Sequence, residues 1–402
     1  MNRAYLIDSR KHDFNAVITA IDNIDGEYSL TLDHTYFFPS GGGQLADKGT
    51  IQGISIVGFH VKNNDIYHHL ESPLNLEVGD IVTCEINAQR RLEIMQQHTG
   101  QHILSQSIER VLGLKTISFQ MKEDTSQLYI PYTDDCVGLY ESEVLANSIV
   151  QEMIDLEVLN IYPDEGAEYH LRKSPLSKHL DSDGKIRIVK IGEFETIPCG
   201  GTHCSNTGQV GLIKIIRMKK QKKKLLLEFV CGGRALSVFD QKINLINKIC
   251  SLYSVNEDNI EKHFKQKLQN DASLDKKCKE LNEKVLKYRA NELSLDFSLK
   301  NGIKIINAQC IEEMSFDELV AISKLITLND NYSCMFFCEN KFVIAISNNI
   351  KANLNAIFKM YAPVFPIKGG GTNKMVQGVI SDNTLLKEFL KEFLNQFLSQ
   401  LN

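Results

Sequence analysis

Two short segments about a hundred residues apart constrain this chain most: His98-Thr99-Gly100-Gln101-His102 and Cys199-Gly200-Gly201-Thr202-His203. From Arg90 to about Leu112 the only Gly or Pro is Gly100, and Leu92, Met95, Thr99 and Ile103 recur at helical spacing. That pattern predicts a helix carrying both histidines. Imidazoles at i and i+4 lie one above the other on a single face, so they can grip one ion. Such a pair alone more often only hydrogen-bonds. The second segment follows Pro198, and its two glycines let the backbone fold tightly enough to bring a thiolate and an imidazole together. One Cys and three His are donors that Zn²⁺ takes tetrahedrally, so His98, His102, Cys199 and His203 are the expected zinc ligands. Cys204 is an alternative, but adjacent residues point differently, which favours Cys199. A zinc protease carries a Glu beside the first His as general base; here Thr99 holds that position.

The chain has 402 residues, 43% hydrophobic and 24% charged, which fits a globular protein of two or three domains. No apolar run approaches the roughly 20 residues of a membrane-spanning helix. Asp8 and Arg10 interrupt the start before a signal sequence can form, so a cytoplasmic protein without a membrane partner is expected. In that setting the ten cysteines read mostly as reduced core residues. A net charge of -5 argues against non-specific coating of nucleic acid, although a local basic surface can hide inside it.

The expected fold class is α+β and multidomain. Residues 1–88 read as a small β-barrel: 14–21 alternates, Asp25-Gly26 marks a turn, 28–32 resumes a strand, and short runs follow at 53–61 and 80–86. Residues 89–235 form an α+β domain holding the zinc helix and one further helix at about 141–156. Residues 236–300 form a helical spacer. Its stripes, Leu236, Phe239, Ile243, Ile246, Cys250, Tyr253 and then Leu274, Cys278, Leu281, Val285, Tyr288, suit a hairpin that spaces domains or pairs subunits. Ser254 and Glu257 are set as a capping box for a helix between them. Residues 301–402 alternate strand and helix, with strands at 303–308, 334–338 and 342–347, helices at 316–328 and 351–360, and a last helix after Asn383.

The His98–His102 motif, continued by Ile103-Leu104 and paired with the Cys199–His203 motif, resembles the editing domain of alanyl-tRNA synthetase and the free-standing AlaX-type alanyl-tRNA editing proteins. Phe38-Pro39-Ser40-Gly41-Gly42-Gly43-Gln44, with Asp47 and Gly49, is similar to the glycine-rich signature of their barrel. Gly369-Gly370-Gly371, with Met375 and Gln377, looks like the glycine-rich segment of the DHHA1 domain that ends the longer members. The resemblance implies hydrolysis of mischarged tRNA(Ala), chiefly Ser-tRNA(Ala) and also Gly-tRNA(Ala), with Zn²⁺ as cofactor and a homodimer through the C-terminal region. The alternatives are a deacylase for another aminoacyl-tRNA and a non-catalytic tRNA-binding protein with a structural zinc. With the barrel starting in the first twenty residues, no aminoacylation domain is expected, and action in trans follows. His98 and His102 enter the catalysis as ligands, with no separate base assigned. Gly41, Gly42, Gly43, Gln44, Gln120, Thr202, Gly369, Gly370 and Gly371 are candidate substrate contacts. Many relatives carry Ser-Phe-His where this chain reads Ser118-Phe119-Gln120, which bears on amino-acid preference if that strand lines the pocket. Without the family, Ser40–Gln44 reads as a β-turn and Gly369–Gly371 as a loop before a helix. Lys219-Lys220-Gln221-Lys222-Lys223-Lys224 is either a solvated hairpin tip or a tRNA contact.

Overall fold

The computed structural model describes residues 2–24, 27–169, 171–172, 184–308 and 314–401. The expected Asp25-Gly26 turn and Cys310 lie outside the described residues. The chain divides into two compact units, residues 1–253 and 254–402.

The first unit opens with β1 (Asn2–Arg3), β2 (Asp13–Ile24), β3 (Glu27–Leu32), β4 (His34–Thr35), β5 (Gly49–Ile51), β6 (Ile54–Lys62), β7 (Asp65–Leu70) and β8 (Ile81–Ile86). β1 and β4 make a small parallel pair, and the others close a barrel in the order β2-β3-β7-β6-β5-β8. The long β2 serves two neighbours, pairing with β8 through Asp13–Val17 and with β3 from Ile18 onward, with an irregularity between Ile18 and Ala20. Such an irregularity bends a strand enough to turn a barrel corner. The alternation works as expected: Val82, Cys84 and Ile86 of β8 face inward while Ile81, Thr83 and Glu85 are exposed. Phe14, Ile18, Leu30, Leu32, Phe37 and Ile51 fill the interior.

Helix α1 (Ala88–Leu112) follows at once. Asn87 accepts the Arg90 amide at 2.9 Å as its cap, and Gly113, at φ 67°, closes it. The helix is buried on most sides, with Ile94, Met95, Ile103, Leu104 and Ile108 in the core beside polar residues, while Leu92 is 42% exposed and stands off the expected stripe. A Cβ at Gly100 would sit 2.3 Å from Cys231 Sγ, so this mid-helix glycine admits a neighbouring strand.

That neighbour belongs to the second layer. It comprises β9 (Ser118–Met121), β10 (Ser126–Pro131), α2 (Cys136–Gln151), β11 (Leu156–Ile161), β12 (Ile186–Ile191), β13 (Glu195–Pro198), β14 (Ile213–Gln221), β15 (Lys224–Cys231) and α3 (Gly233–Tyr253). One sheet runs β14-β15-β10-β9 and another β11-β12-β13. The second helix starts and ends about five residues earlier than the spacing predicts. Asp135 caps it by accepting the Gly138 amide at 2.8 Å, and Leu156 already pairs with Ile191 in a strand. The lysine run forms the tip of the β14–β15 hairpin, with Lys222 at φ 55° in the turn.

In the second unit come α4 (Ile260–Leu293), β16 (Ser298–Lys300), β17 (Ile303–Ala308), α5 (Phe316–Ile326), β18 (Tyr332–Cys338), β19 (Lys341–Ile346), α6 (Leu354–Tyr361), β20 (Ile367–Gly371), β21 (Met375–Ile380) and α7 (Leu386–Ser399). The sheet order is β16-β17-β18-β19-β21-β20, with α5 crossing over between the parallel β17 and β18. Ala290 of α4 and Leu319 and Ile322 of α5 cover one face, and Leu354, Ile357, Phe389 and Phe393 of α6 and α7 cover the other.

Two expectations fail here, the capping box at Ser254 and the loop at Gly369–Gly371. The Ser254–Glu257 capping box does not form: Ser254 is left-handed at φ 53°, and Asn256 leads a single 3-10 turn without a side-chain cap. Such a box does form at Ser315 and Glu318, at the start of α5. The stripes of α3 and α4 are largely exposed, for example Leu236 at 65% and Tyr288 at 75%. Gly369–Gly371 is not a loop before a helix but part of edge strand β20, paired with Val376–Gly378.

One buried ion pair ties the barrel to α1. Arg91 and Asp47 are both fully buried in their side chains, with Arg91 Nε donating to Asp47 Oδ1 at 2.9 Å and Nη2 to Oδ2. The guanidinium also donates to the carbonyls of Ser9 and Tyr36 at 2.6 Å, and Asp47 accepts the Phe38 amide at 2.6 Å. Removing one partner strands a buried charge, a loss of about 3–5 kcal/mol. Arg91→Met is therefore expected to lower the stability of residues 1–253 by that amount in urea unfolding; a loss below about 1 kcal/mol would contradict the role given to this pair.

Candidate metal centre

The two motifs meet. His98 and His102 project from one face of α1, and Cys199 and His203 from the loop after β13; one donor atom from each lies within 4.8 Å of all the others. Cys199 Sγ is 3.4 Å from His98 Nε2 and 3.3 Å from His203 Nε2. Around a tetrahedral zinc with sulfur at about 2.3 Å and nitrogen at about 2.0–2.1 Å, the donors themselves stand roughly 3.3–3.6 Å apart. These two separations match those around one small ion, and all four donors lie close enough to share it. The three imidazoles are buried, 3–5% exposed.

Each imidazole is aimed by a partner on its other nitrogen. His98 Nδ1 is 2.5 Å from Gln44 Oε1, His102 Nδ1 is 3.1 Å from Glu195 Oε2, and His203 Nδ1 is 3.3 Å from Thr99 Oγ1. With Nε2 turned to the cluster, Nδ1 carries the proton and donates outward, the arrangement that fixes tautomer and ring angle in metal sites. Glu195 is in turn paired with Arg172, both almost wholly buried. The loop is pinned as well. Cys199 N donates to Arg187 O at 3.2 Å, the Arg187 guanidinium donates to Cys199 O, and Cys204 N donates to Thr99 Oγ1 at 3.1 Å.

The electrostatics single out one thiol. Burial would raise the Cys199 pKa, but the imidazoles of His98 and His203 beside it hold it well below the ordinary thiol value. Cys204 has no such neighbours, and burial pushes its thiol up to about 12. The alternative ligand is thus an inert core residue. For His102, burial lowers the pKa, but Glu195 and then Cys199 overcome that and raise it to about 9. Burial dominates at His203, which falls to about 3.

The glycine-rich loop closes over this cluster. Ser40, Gly42 and Gly43 have φ of 89°, 60° and 90°, and Gly41 and Gln44 form a bridge. The turn delivers the Gln44 side chain, whose Nε2 donates to Thr202 Oγ1 at 2.9 Å and whose Oε1 accepts the Thr202 amide at 3.1 Å. Gly43 O accepts the Met121 amide at 2.7 Å, and a Cβ at Gly43 would lie 2.5 Å from Phe119 O. Phe119, not Gln120, faces His98, at 5.9 Å between ring centroids. Gln120, the next residue on β9, is exposed on the other face. Gly200 and Gly201 serve differently from the tight turn the sequence suggests. Neither has a left-handed φ; a Cβ on Gly201 would meet His98 Cε1 at 2.1 Å and Gln44 Oε1 at 2.6 Å, whereas Gly200 faces open space. Gly369–Gly371 lies in the second unit. Sequence reading passed over Glu195, Arg172, Arg187 and Phe119; the rule that a ligating imidazole needs an outer partner was the available signal, but it names no residue.

Gly201→Ala is expected to weaken binding of a divalent metal such as zinc at least about tenfold, in the range seen when outer partners of ligands are disturbed, as read by competition with a chromophoric chelator. Without metal, His102 holds a proton up to about pH 9. A ligating imidazole must be neutral, so uptake displaces that proton. Apparent zinc affinity should therefore climb with pH and level off near 9; affinity independent of pH between 6 and 8 would refute this charge state.

The Threonyl and Alanyl tRNA synthetase second additional domain matches residues 186–226, the stretch that contains β12, β13, the Cys199–His203 loop and β14. The alanyl-tRNA editing protein AlaX-L of Pyrococcus horikoshii is 28% identical over 391 residues, covering 94% of both chains. An alanine–tRNA ligase of Methanobrevibacter smithii is 26% identical over 92% of this chain, which spans 43% of the ligase. Among solved structures, the C-Ala domain of Aquifex aeolicus alanyl-tRNA synthetase matches 26% of this chain and 98% of its own at 21% identity, with a TM-score of 0.23. Along nearly its whole length, then, this chain is similar to the long form of the AlaX alanyl-tRNA editing protein.

Proposed function

We propose that this chain is an alanyl-tRNA editing hydrolase that cleaves the ester of mischarged tRNA(Ala), with Ser-tRNA(Ala) as chief substrate and Gly-tRNA(Ala) as a second, at a zinc ion held by His98, His102, Cys199 and His203. The observation that carries this reading is the convergence of three outward-braced imidazoles and a low-pKa thiol on one ion-sized centre. The full-length similarity to AlaX-L supports it.

An aminoacyl ester is already activated, so the protein must chiefly bind, orient and exclude bulk water. Zinc, when bound, supplies Lewis acidity and lowers the pKa of a bound water to about 7. The chain does the rest. Gln44 and Glu195 hold the rings of His98 and His102, Arg172 holds Glu195, and Phe119 walls one side of His98. In this reading Gly41–Gly43 and Thr202 border the approach of the acceptor end, and Gly369–Gly371 offers bare amides to RNA backbone.

A second reading has one observation in its favour: four protein donors meet at one centre, the number that closes a structural zinc site. It makes the chain a tRNA-binding protein without turnover. Deacylation assays with serine-, glycine- and alanine-charged tRNA(Ala), and with a mischarged tRNA of another specificity, separate the readings. Turnover of the serine and glycine esters with sparing of the alanine ester is expected; no turnover of any supports the binder, and turnover only of a non-cognate tRNA supports a deacylase of other scope. His98→Ala should stay folded by circular dichroism and lose activity by about 10²-fold or more, the scale of removing one transition-state stabiliser.

A further inference from the structure

We infer that the β14–β15 hairpin tip is an RNA-docking surface that grips the phosphate backbone of the double-helical part of the RNA whose end reaches the metal centre, a role that rests on the hydrolase reading for the place of that end. Lys219, Lys220, Lys222, Lys223 and Lys224 crowd this tip and are all exposed. Among the described residues none of the five makes an ion pair, whereas Lys214 and Arg217 further down β14 are matched by Glu143 and Glu228. The chain as a whole is acidic, at -5. Five ammonium groups within six residues repel one another. A polyanion relieves that repulsion by replacing small counterions.

Two features make the tip more than a frayed loop. Tyr132, 40% exposed, packs beneath it: Lys220 Nζ stands 3.9 Å over its ring, and its amide donates to Lys223 O at 2.9 Å. An exposed ring among ammonium groups suits RNA sugar and phosphate better than a protein partner, whose interfaces are depleted in lysine. The tip is also fixed relative to the candidate site. β15 runs from Lys224 to Cys231, whose carbonyl accepts from Gln97 Nε2 at 2.9 Å, beside His98. Seven residues of strand span about 23 Å. A reactive terminus at the cluster puts the helical stem of the same RNA, not its single-stranded end, over the lysines.

The test uses the full chain with lysines 219, 220, 222 and 223 all replaced by Gln, and a companion carrying Arg at the same places. Binding of uncharged tRNA(Ala) and of a 12-base-pair RNA duplex is measured from 50 to 250 mM salt, beside deacylation of Ser-tRNA(Ala). The Gln variant is expected to bind both RNAs about tenfold or more weaker at low salt. Its log–log salt slope should fall by about 0.9 for each phosphate that is no longer neutralised, about 3 to 4 in all. KM should rise with kcat unchanged, and the Arg variant should restore all three. Unchanged duplex affinity and slope overturn the docking surface, even where deacylation confirms the function. Loss of RNA binding in a chain that deacylates nothing upholds the surface and sinks the hydrolase reading instead. A fall in kcat with KM unchanged also counts against it.

Discussion

The Arg91–Asp47 pair joins the loop that delivers Gln44 to the helix that carries His98 and His102. Arg91 lies on α1 two turns before His98, and Asp47 closes the loop that begins at Phe38 and delivers Gln44. A barrel and a helix could pack with many sliding offsets through aliphatic contact alone, because burial is non-directional. A bidentate guanidinium–carboxylate contact with added backbone acceptors has one geometry. It sets the register between the glycine-rich loop and the helix, and so whether the Gln44 carbonyl can meet His98 Nδ1.

The cluster adds a second layer of charge logic. A thiolate beside a protonated His102, backed by Glu195 and Arg172, is a formally neutral arrangement in a buried setting. A divalent ion exchanged for the His102 proton takes that formal sum from zero to plus one, with the thiolate and the Glu195 carboxylate both left in place to face it. Holding the donors ready in this way lowers the reorganisation that binding requires.

Much of this was legible in the sequence. Strands β7 and β8 alternate cleanly, α1 is a long helix closed by a glycine, and the four donors stand in two recognisable motifs. The misplaced second helix shows where local patterns stop helping: its start is set by Asp135 accepting an amide, while the apolar pattern alone fits several offsets. The expected capping box at Ser254 failed because a left-handed residue there ends α3. Glu195, Arg172 and Gln44 acquire their roles only through contacts over 54 to 158 residues of chain, or, for Arg172 with Glu195, across a sheet edge. The glycines of β20 hid a strand because glycine is depleted in strands, and the run of three lies at a sheet edge.

That edge has its own consequence. A free sheet margin invites pairing with any passing extended chain. Three successive glycines make β20 a poor template, since each pays a high entropic cost to stay extended and offers no side chain for an intruder to pack on. The second unit thereby keeps an open, accessible backbone ribbon while discouraging stacking into aggregates.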